Sequence, residues 1–227
     1  MKILDYETLD IVGFGGLREN ILVMDESVFG AHRRDDSWQG FSDQTYMAHA
    51  YFKPYGETGM HEHSGVDIVS VITKGPIHHK GSLMDNHAIE TGEVLVQSAG
   101  PKSFKHNESN TSPDIKGLIQ IWFKPSIETA KTQISKVYQL NRGRNLIYGN
   151  ATFPSKTRVE ILVLAPNQVF KTETLSRLYL YLGHAWVREE GISQSKKMTR
   201  GTLVEGQDLV LHSDEETRWI IISNCNE

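Results

Sequence analysis

The chain has 227 residues, of which 38% are hydrophobic and 23% charged, and its formal net charge is -4 at pH 7. These values are ordinary for a globular protein that buries a sizeable core. The acidic balance gives little attraction for nucleic acid phosphates or anionic lipids. We therefore expect no direct nucleic acid partner and no membrane partner.

The ends of the chain carry no obvious export or anchoring signal. The opening residues, MKILDYETLD, lack the apolar core of a secretion signal. No window approaches the roughly 18 consecutive apolar residues of a membrane-spanning helix. The single cysteine, Cys225, has no second cysteine with which to form an intramolecular disulfide. Together these features predict a cytoplasmic protein.

Short strand-like segments follow one another from residue 47 to residue 223. They are rich in β-branched and aromatic residues and are separated by Gly, Pro, Asn and Asp, which is typical of β-strands and their turns. The segments are MAHAYF, VDIVSVIT, EVLVQS, GLIQIWF, VEILVLA, RLYLYLGHAWV, DLVLHS and RWIIIS. The sequence therefore predicts a mostly β protein.

One window near the middle of the chain has a helical pattern instead. In IETAKTQISKVYQL, residues 127–140, apolar residues recur at steps of three and four. We interpret residues 126–145 as a helical connector between an N-terminal domain, 1–125, and a C-terminal domain, 146–227.

The two halves are weakly similar to each other. The segments VDIVSVITKG and TGEVLVQSAG find a rough counterpart in RLYLYLGHAW and EGQDLVLHSD. When the glycine turns in these segments are superimposed without gaps, His61 and His63 fall on Val169 and Lys171. Because neither of the latter is a plausible metal ligand, we expect a metal in the first half only.

The segment GMHEHSGVDIV carries the most informative pattern. His61 and His63 are two residues apart, so on a strand both rings point to the same face. Downstream, His106 and Glu108 in KHNES have the same spacing. If these two strands are neighbours, two side chains from each converge on one interior point.

The surrounding spacings resemble the two signature motifs of the cupin superfamily, and more narrowly the pirin family of two-domain cupins. HEHSGVDIVSVITKGPIHHKGS is similar to the pirin HPHxxxE run, its glycine turn and an E-H-x-D-S stretch. SAGPKSFKHNESN is similar to the pirin SAG-x-x-x-x-HSE segment. The similarity covers roughly residues 50–125. Asp67 stands where the motif usually has glutamate, and the loop before His106 is longer than in the general cupin pattern.

The resemblance implies an all-β fold with two jelly-roll (cupin) β-barrel domains in one chain, a bicupin. It places the metal ligands on His61, His63, His106 and Glu108. Asp67 is the alternative carboxylate. Three imidazoles and one carboxylate suit Fe, Mn, Ni, Cu or Zn and leave coordination positions open. The resemblance favours one divalent ion, Fe(II) first, with nickel, manganese, copper or zinc as alternatives.

The same resemblance implies a dioxygenase that cleaves a flavonol such as quercetin with O2, with Glu108 as general base for the phenolic proton. One alternative is a metal-binding regulatory or sensor protein that acts through a protein partner without turnover. Another is a cupin whose site has lost its metal. Fold likeness alone does not decide among these functions. We expect a monomer, because two barrels shield many sheet edges.

Overall fold

The structure is a computed structural model that describes residues 1–225, and within them the chain is almost entirely β. The first twelve strands are β1 (Lys2–Asp5), β2 (Ile11–Val12), β3 (Leu17–Met24), β4 (Gln44–Phe52), β5 (His61–His63), β6 (Asp67–Lys74), β7 (Ile77–Gly81), β8 (His87–Ile89), β9 (Glu93–Ser98), β10 (Phe104–Ser109), β11 (Lys116–Phe123) and β12 (Ile134–Gln139). The others are β13 (Gly143–Tyr148), β14 (Thr157–Leu164), β15 (Val169–Lys171), β16 (Ser176–Leu182), β17 (His184–Glu189), β18 (Lys196–Thr199), β19 (Thr202–Gly206), β20 (Leu209–His212) and β21 (Thr217–Asn224).

Helical structure is limited to short turns between strands. The helical segments are α1 (Glu26–Phe29) and the 3-10 helices Tyr6–Thr8, Gly30–His32 and Thr129–Lys131. None of the helices within residues 1–225 has the length and hydropathy needed to cross a membrane. The all-β, two-jelly-roll fold expected from the sequence is confirmed.

The chain forms two compact units, each made of one large and one small antiparallel sheet. The first jelly roll contains residues 9–139 and 153–155. Its sheets have the strand orders β12-β9-β6-β11-β4-β3-β2 and β5-β10-β7-β8. The second jelly roll contains residues 1–8, 140–152 and the described chain from 156 onward. Its sheets have the orders β1-β19-β16-β21-β14-β13 and β15-β20-β17-β18.

The two strand orders match position by position. Strands β9, β6, β11, β4 and β3 correspond to β19, β16, β21, β14 and β13, and strands β5, β10, β7 and β8 correspond to β15, β20, β17 and β18. In each unit the apolar residues that alternate along the strands form a core between the two sheets. The weak sequence similarity between the halves therefore reflects a repeated topology.

The helical connector expected at residues 126–145 is wrong. That window contains the 3-10 turn Thr129–Lys131, the strand β12 and the start of β13. Strand β12 pairs with β9 along its whole length, from Ile134 opposite Ser98 onward. Pairing to the exposed edge of a sheet outweighs the local three- and four-residue periodicity, because helix propensity is a weak preference.

The N-terminal residues also pair differently from the expected domain division. Strand β1 lies beside β19 of the second jelly roll, with Lys2 opposite Glu205 and Asp5 opposite Thr202. Residues 1–8 therefore belong to the second unit, although the sequence placed them in the N-terminal domain.

Strand pairing shows which residues correspond in the two small sheets. His79 and Val187 are each the fourth residue after a glycine turn that joins corresponding strands. His79 pairs with Glu108, and Val187 pairs with Leu211. Two residues earlier on each strand, His106 on β10 corresponds to Leu209 on β20. The corresponding pairs are Glu108 with Leu211 and His106 with Leu209.

The same pairing corrects the alignment of the histidine pair. The backbone N–H of Thr172 donates to the carbonyl of Leu209, so Thr172 lies opposite Leu209. In the first jelly roll His61 lies opposite His106, the counterpart of Leu209, so Thr172 corresponds to His61. Thr174 therefore corresponds to His63. The alignment without gaps, which had given Val169 and Lys171, is wrong by three residues. The cause is a deletion in the segment before the glycine turn of the second jelly roll.

Candidate metal centre

Strand β10 brings three histidines together in the first jelly roll. It pairs with β5 on one side, where His106 lies opposite His61. Because side chains alternate along a strand, His61 and His63 project to the same face as His106. One ring nitrogen from each of the three lies within 4.8 Å of the others. The histidines singled out in the sequence therefore form one cluster.

Gly81 makes room for this cluster on the other side of β10. It lies directly opposite His106 on β7. A Cβ atom at this position would lie 2.4 Å from the carbonyl oxygen of Lys105 and 2.9 Å from the Cβ of His106. Only glycine allows the two backbones to approach this closely without displacing His106.

A buried hydrogen-bonded chain fixes the tautomer of His106. Nδ1 of His79 is 2.9 Å from the carbonyl oxygen of Met84, which can only accept, so Nδ1 carries the proton. Nε2 of neutral His79 is then an acceptor, 3.1 Å from Nδ1 of His106. The side-chain oxygen of Gln97 lies 3.3 Å from the same Nδ1 and 3.1 Å from Nε2 of His79. Of these three atoms only Nδ1 of His106 is left to donate once Nδ1 of His79 donates to Met84. His106 therefore donates through Nδ1 and turns the lone pair of its Nε2 towards the cluster.

His61 is oriented by its own loop. Its Nδ1 is 2.9 Å from the carbonyl oxygen of Gly59 and therefore carries the proton. Its Nε2 lies 3.0 Å from Nε2 of His106. In these neutral tautomers two lone pairs face each other, which is unfavourable unless a cation lies between them. Two nitrogens bound at right angles to one ion at about 2.1 Å would be about 3 Å apart.

His63 and Glu108 present two further unsatisfied atoms. Nε2 of His63 and Oε1 of Glu108 are buried and have no hydrogen-bond partner among the described residues. The other carboxylate oxygen of Glu108 accepts from Nε2 of Gln120 at 3.2 Å. The indole of Trp122 donates to Oε1 of Gln120 at 3.0 Å, and this fixes the orientation of the amide. One oxygen of Glu108 is thus held while the other stays available.

Burial shapes the protonation of these groups. Desolvation, followed by the charge of His61, lowers the pKa of His63 to about 4. Desolvation and the neighbouring histidines lower the pKa of His106 to about 2. Desolvation raises the pKa of Glu108 to about 7, opposed by the hydrogen bond from Gln120. Neutral imidazole is the form that binds metals, and a nearby cation would favour the carboxylate form of Glu108.

The cluster opens into a cavity of about 250 Å³. Its walls are mainly apolar, and Phe29, Tyr46 and Trp122 form an aromatic face with ring centroids 4.6 to 6.4 Å apart. One further carboxylate faces the cavity: Glu19 accepts a hydrogen bond from the hydroxyl of Tyr46 at 2.8 Å. Burial raises the pKa of Glu19. The other lining residues are Phe14, Leu17, Ile21, Met24, Thr58, His61, His63, Glu108 and Gln120.

The alternative carboxylate predicted from the sequence, Asp67, lies outside this cavity. Asp67 is next to Ile68 on β6, and Ile68 packs in the interior cluster around Phe104. Since neighbouring residues on a strand face opposite ways, Asp67 points away from the histidines. Of the two carboxylates considered, Glu108 is the one that lines the pocket. His79 lies behind His106, rather than in the cavity wall.

Sequence reasoning missed the supporting residues. Gln97 and Gln120 are polar residues on the buried strands β9 and β11. In EVLVQS and GLIQIWF an isolated glutamine interrupts an apolar run, and this pattern is a usable signal for a buried hydrogen-bonding role. Glu19 and Tyr46 were missed because their strands carry no recognisable motif.

The donor set fits a divalent transition metal. Three imidazole nitrogens are ligands that Fe, Ni, Mn, Cu and Zn accept. Glu108 lines the same cavity, although its oxygens are not among the ligand atoms that lie within 4.8 Å of one another. The facing lone pairs and the two unsatisfied buried atoms point to the same requirement for a shared cation. A single proton could satisfy only one pair of the imidazole nitrogens, whereas one metal ion can bind all three.

Comparison with known proteins agrees with this geometry. Residues 23–123 match the family model described as Pirin. The chain is therefore similar to the pirin family over this segment, which is less than half of its length. The crystal structure of YhhW from Escherichia coli superimposes with a TM-score of 0.79 at 15% identity, covering 100% of this chain and 98% of that one. A nickel(II) complex of the bacterial pirin YhhW gives a TM-score of 0.78 at 16% identity, covering 97% of each chain.

The curated sequence relatives match only part of the chain. A Pirin-like protein of Caulobacter vibrioides is 34% identical over 65 residues, 29% of this chain and 28% of that protein. A quercetin 2,3-dioxygenase of Escherichia coli is 27% identical over 104 residues, 40% of this chain and 45% of that protein. The chain thus spans less than half the length of the curated relatives it matches. At these identities the solved structures establish the fold alone.

Proposed function

We propose that the first jelly roll binds one divalent transition metal and uses it to cleave a flavonol such as quercetin with O2. The observation that carries the proposal is the convergence of three imidazoles, with the lone pairs of His61 and His106 facing each other at 3.0 Å. His61, His63, His106 and Glu108 would hold the ion. Relatives named quercetin 2,3-dioxygenase support the choice of reaction.

The cavity beside these ligands has the character of an aromatic binding site. Small-molecule sites are mostly apolar, with a few polar groups that fix orientation. Phe29 and Trp122 are stacked, with centroids 6.4 Å apart, and present flat apolar surface to a planar ring. Glu19, which has an oxygen left after bonding Tyr46, can accept a phenolic hydroxyl. A polyphenol can pack its ring against the aromatic side chains and donate a hydroxyl to Glu19.

Glu108 is the group we assign to proton transfer. Glu108 lines the cavity, its buried Oε1 has no partner among the described residues, and Gln120 holds Oε2. A substrate hydroxyl that approaches the cluster can pass its proton to Oε1. Gln120 and Trp122 keep the carboxylate in place during this transfer. When bound, a divalent ion there supplies a Lewis acid that stabilises the deprotonated hydroxyl oxygen.

The experiment has two stages. Elemental analysis of the purified protein, beside His61→Ala and His106→Ala, should give about one transition-metal ion per chain only in the wild type. The loaded protein is then given quercetin in an oxygen electrode, with carbon monoxide release measured in parallel. We expect oxygen uptake that requires metal, and we expect Glu108→Gln to reduce it when the two proteins are compared at equal metal loading.

The two parts of the proposal fail in different ways. Equal, negligible metal in the wild type and both variants after reconstitution with ferrous iron would refute the metal site. Full loading without oxygen uptake on quercetin and related flavonols would refute the dioxygenase and leave a metal-binding regulatory protein. Glu108→Gln with full turnover would remove Glu108 as the base. His78→Ala, on the opposite face of β7, is the control expected to change none of these readouts.

A further inference from the structure

The second jelly roll has a cavity that corresponds to the metal pocket of the first. Its volume is about 240 Å³, close to the 250 Å³ of the metal pocket. Thr172 and Thr174 line it at the positions that correspond to His61 and His63. Strands β13, β14 and β21 supply its other walls, as β3, β4 and β11 do in the first jelly roll. The fold therefore repeats the pocket, with threonine hydroxyls in place of the imidazoles of His61 and His63 and with Leu209 and Leu211 in place of His106 and Glu108.

Two arginines change the chemistry of this second cavity. By strand pairing, Arg144 stands where the first jelly roll has Glu19, and Arg158 stands where it has Tyr46. A carboxylate and a phenol are thus replaced by two guanidinium groups. Arginine is the side chain best suited to planar, two-point recognition of a carboxylate. The cavity is therefore suited to an anion.

Glu160 holds both guanidinium groups in position. It is buried and accepts from Nε and Nη2 of Arg144, at 3.1 and 2.7 Å, and from Nη2 of Arg158 at 3.3 Å. The Nε of Arg158 is buried and has no acceptor among the described residues. The arginines are thus pre-oriented, and they retain donors that Glu160 does not use.

The other charged groups at the cavity form its rim. Lys171 makes an ion pair with the exposed Glu190. Glu173 is exposed and acts on Arg144 only through its charge. Among residues 1–225, Glu160 is the buried carboxylate in contact with both arginines, and its charge is already shared by them. This arrangement limits the cavity to a ligand with few negative charges.

Most of the other lining residues are polar, and the apolar part of the wall is small. Phe170 and Ile221 line the cavity, and the guanidinium carbon of Arg144 lies 5.7 Å from the centre of the Phe170 ring. An aromatic ring inserted here would contact Phe170 and Ile221 and extend the cation–π arrangement. We propose that this cavity binds a small aromatic carboxylate, with its carboxylate on Arg144 and Arg158. This site is separate from the metal pocket and independent of the activity proposed above.

The test is calorimetric titration of the full chain with benzoate. Benzyl alcohol, which has a similar shape but no charge, and inorganic phosphate are titrated in parallel. We expect saturable binding of benzoate near one molecule per chain and none of benzyl alcohol. Arg158→Gln should weaken benzoate binding at least about tenfold, because a charge-assisted hydrogen bond is lost. The exposed Arg200→Gln is the matched control and should bind as the wild type does.

A second variant keeps the test independent of any folding defect in Arg158→Gln. Ser223→Trp places a large side chain at the position corresponding to Trp122 and should fill the cavity without removing a charge. It should abolish benzoate binding while leaving nickel(II) binding in the first jelly roll unchanged. Binding that survives in both variants would overturn the proposal, as would equal binding of benzyl alcohol. Phosphate binding that depends on Arg158, without benzoate binding, would mean an inorganic anion site and also overturn it.

Discussion

The two jelly rolls share a strand order, yet corresponding interior positions carry opposite chemistry. Where the first has a cluster of imidazoles and a carboxylate, the second has a packed apolar wall. The corresponding pairs are His106 with Leu209, Glu108 with Leu211, and His79 with Val187. All three residues of the second set are fully buried core residues. The fold thus fixes where a cavity lies, and the side chains decide what it can bind.

The supporting residues differ between the two units together with the candidate ligands. Gln97, which lies beside His106, corresponds to Gly206, and Gln120, which holds Glu108, corresponds to Ile221. A buried amide without its partner would be an unsatisfied polar group, and this costs more than the lost hydrogen bond itself. The candidate ligands and the residues that hydrogen-bond to them therefore differ together between the two units.

The largest expected effect is the loss of metal in His106→Ala. His106 lies at the centre of the cluster, with ring centroids 4.5 Å from His61 and 4.8 Å from His63. We expect nickel(II) affinity, measured by calorimetry, to fall by more than about a hundredfold, beyond the range typical of supporting residues. His212→Ala, an exposed histidine on the corresponding strand β20, should leave it unchanged. If His106→Ala and His212→Ala lose nickel(II) affinity equally, the metal site does not belong to the first jelly roll alone.

The parts of this site that the sequence predicts are those whose residues lie close together along the chain. His61 with His63, and His106 with Glu108, were found because two-residue spacing on a strand is a local property. That His79 lies behind His106 is a result of the β7–β10 pairing, which no local pattern reveals. The alignment of the halves failed for a similar reason, since three missing residues before a turn leave no mark in either strand.

The fold was predictable to a similar depth. Alternating β-branched segments identified the strands, because each must bury one face. The window at 126–145 was misread as helical because Ile134 and Val137 fit both a helix and an edge strand. Only the neighbouring strand β9 decides between them.

The second prediction concerns His79, which contacts the cluster only through His106. His79→Ala removes the acceptor 3.1 Å from Nδ1 of His106 and so frees its tautomer and orientation. Residues in this role typically account for 10- to 100-fold in metal affinity. We expect a nickel(II) affinity about 10-fold to 100-fold weaker, with part of the loss recovered in His79→Gln.

The control for this prediction is the adjacent histidine. His78→Ala, on the opposite face of β7, should bind nickel(II) as the wild type does. If His79→Ala also binds nickel(II) normally, the hydrogen bonds that link Met84, His79 and His106 do not contribute to metal binding, and His79 has only a packing role. Thermal unfolding of both variants without metal separates that role from a general loss of stability.

The third prediction tests the opposite chemistry of the second jelly roll. Glu160→Ala installs the residue found at the corresponding position in the first, Ala48, and leaves the two arginines without their shared carboxylate. Because Arg144 and Arg158 are 54% and 40% exposed, water compensates much of the loss. We expect the free energy of unfolding in urea to fall by about 1–2 kcal/mol, less than for a fully buried pair.

Glu190→Ala, which removes an exposed partner of Lys171, should leave the urea midpoint unchanged. If the urea midpoint of Glu160→Ala also equals that of the wild type, the two guanidinium groups need no carboxylate to hold them. Metal binding in the first jelly roll should be the same in all three proteins. A change there would show that the two interiors are not independent.

The smallest expected effect concerns Gln120, whose counterpart Ile221 shows that this strand position tolerates an apolar side chain. Gln120→Leu keeps the approximate volume but removes the donor 3.2 Å from Glu108. Glu108 then rotates more freely, so we expect nickel(II) affinity to weaken by about tenfold or less, in line with one lost charge-assisted hydrogen bond. The exposed Gln168→Leu is the matched control. A loss as large as that of His106→Ala would mean that Gln120 has a larger role than holding the carboxylate. An unchanged affinity would remove Glu108, or its orientation, from the ligand set.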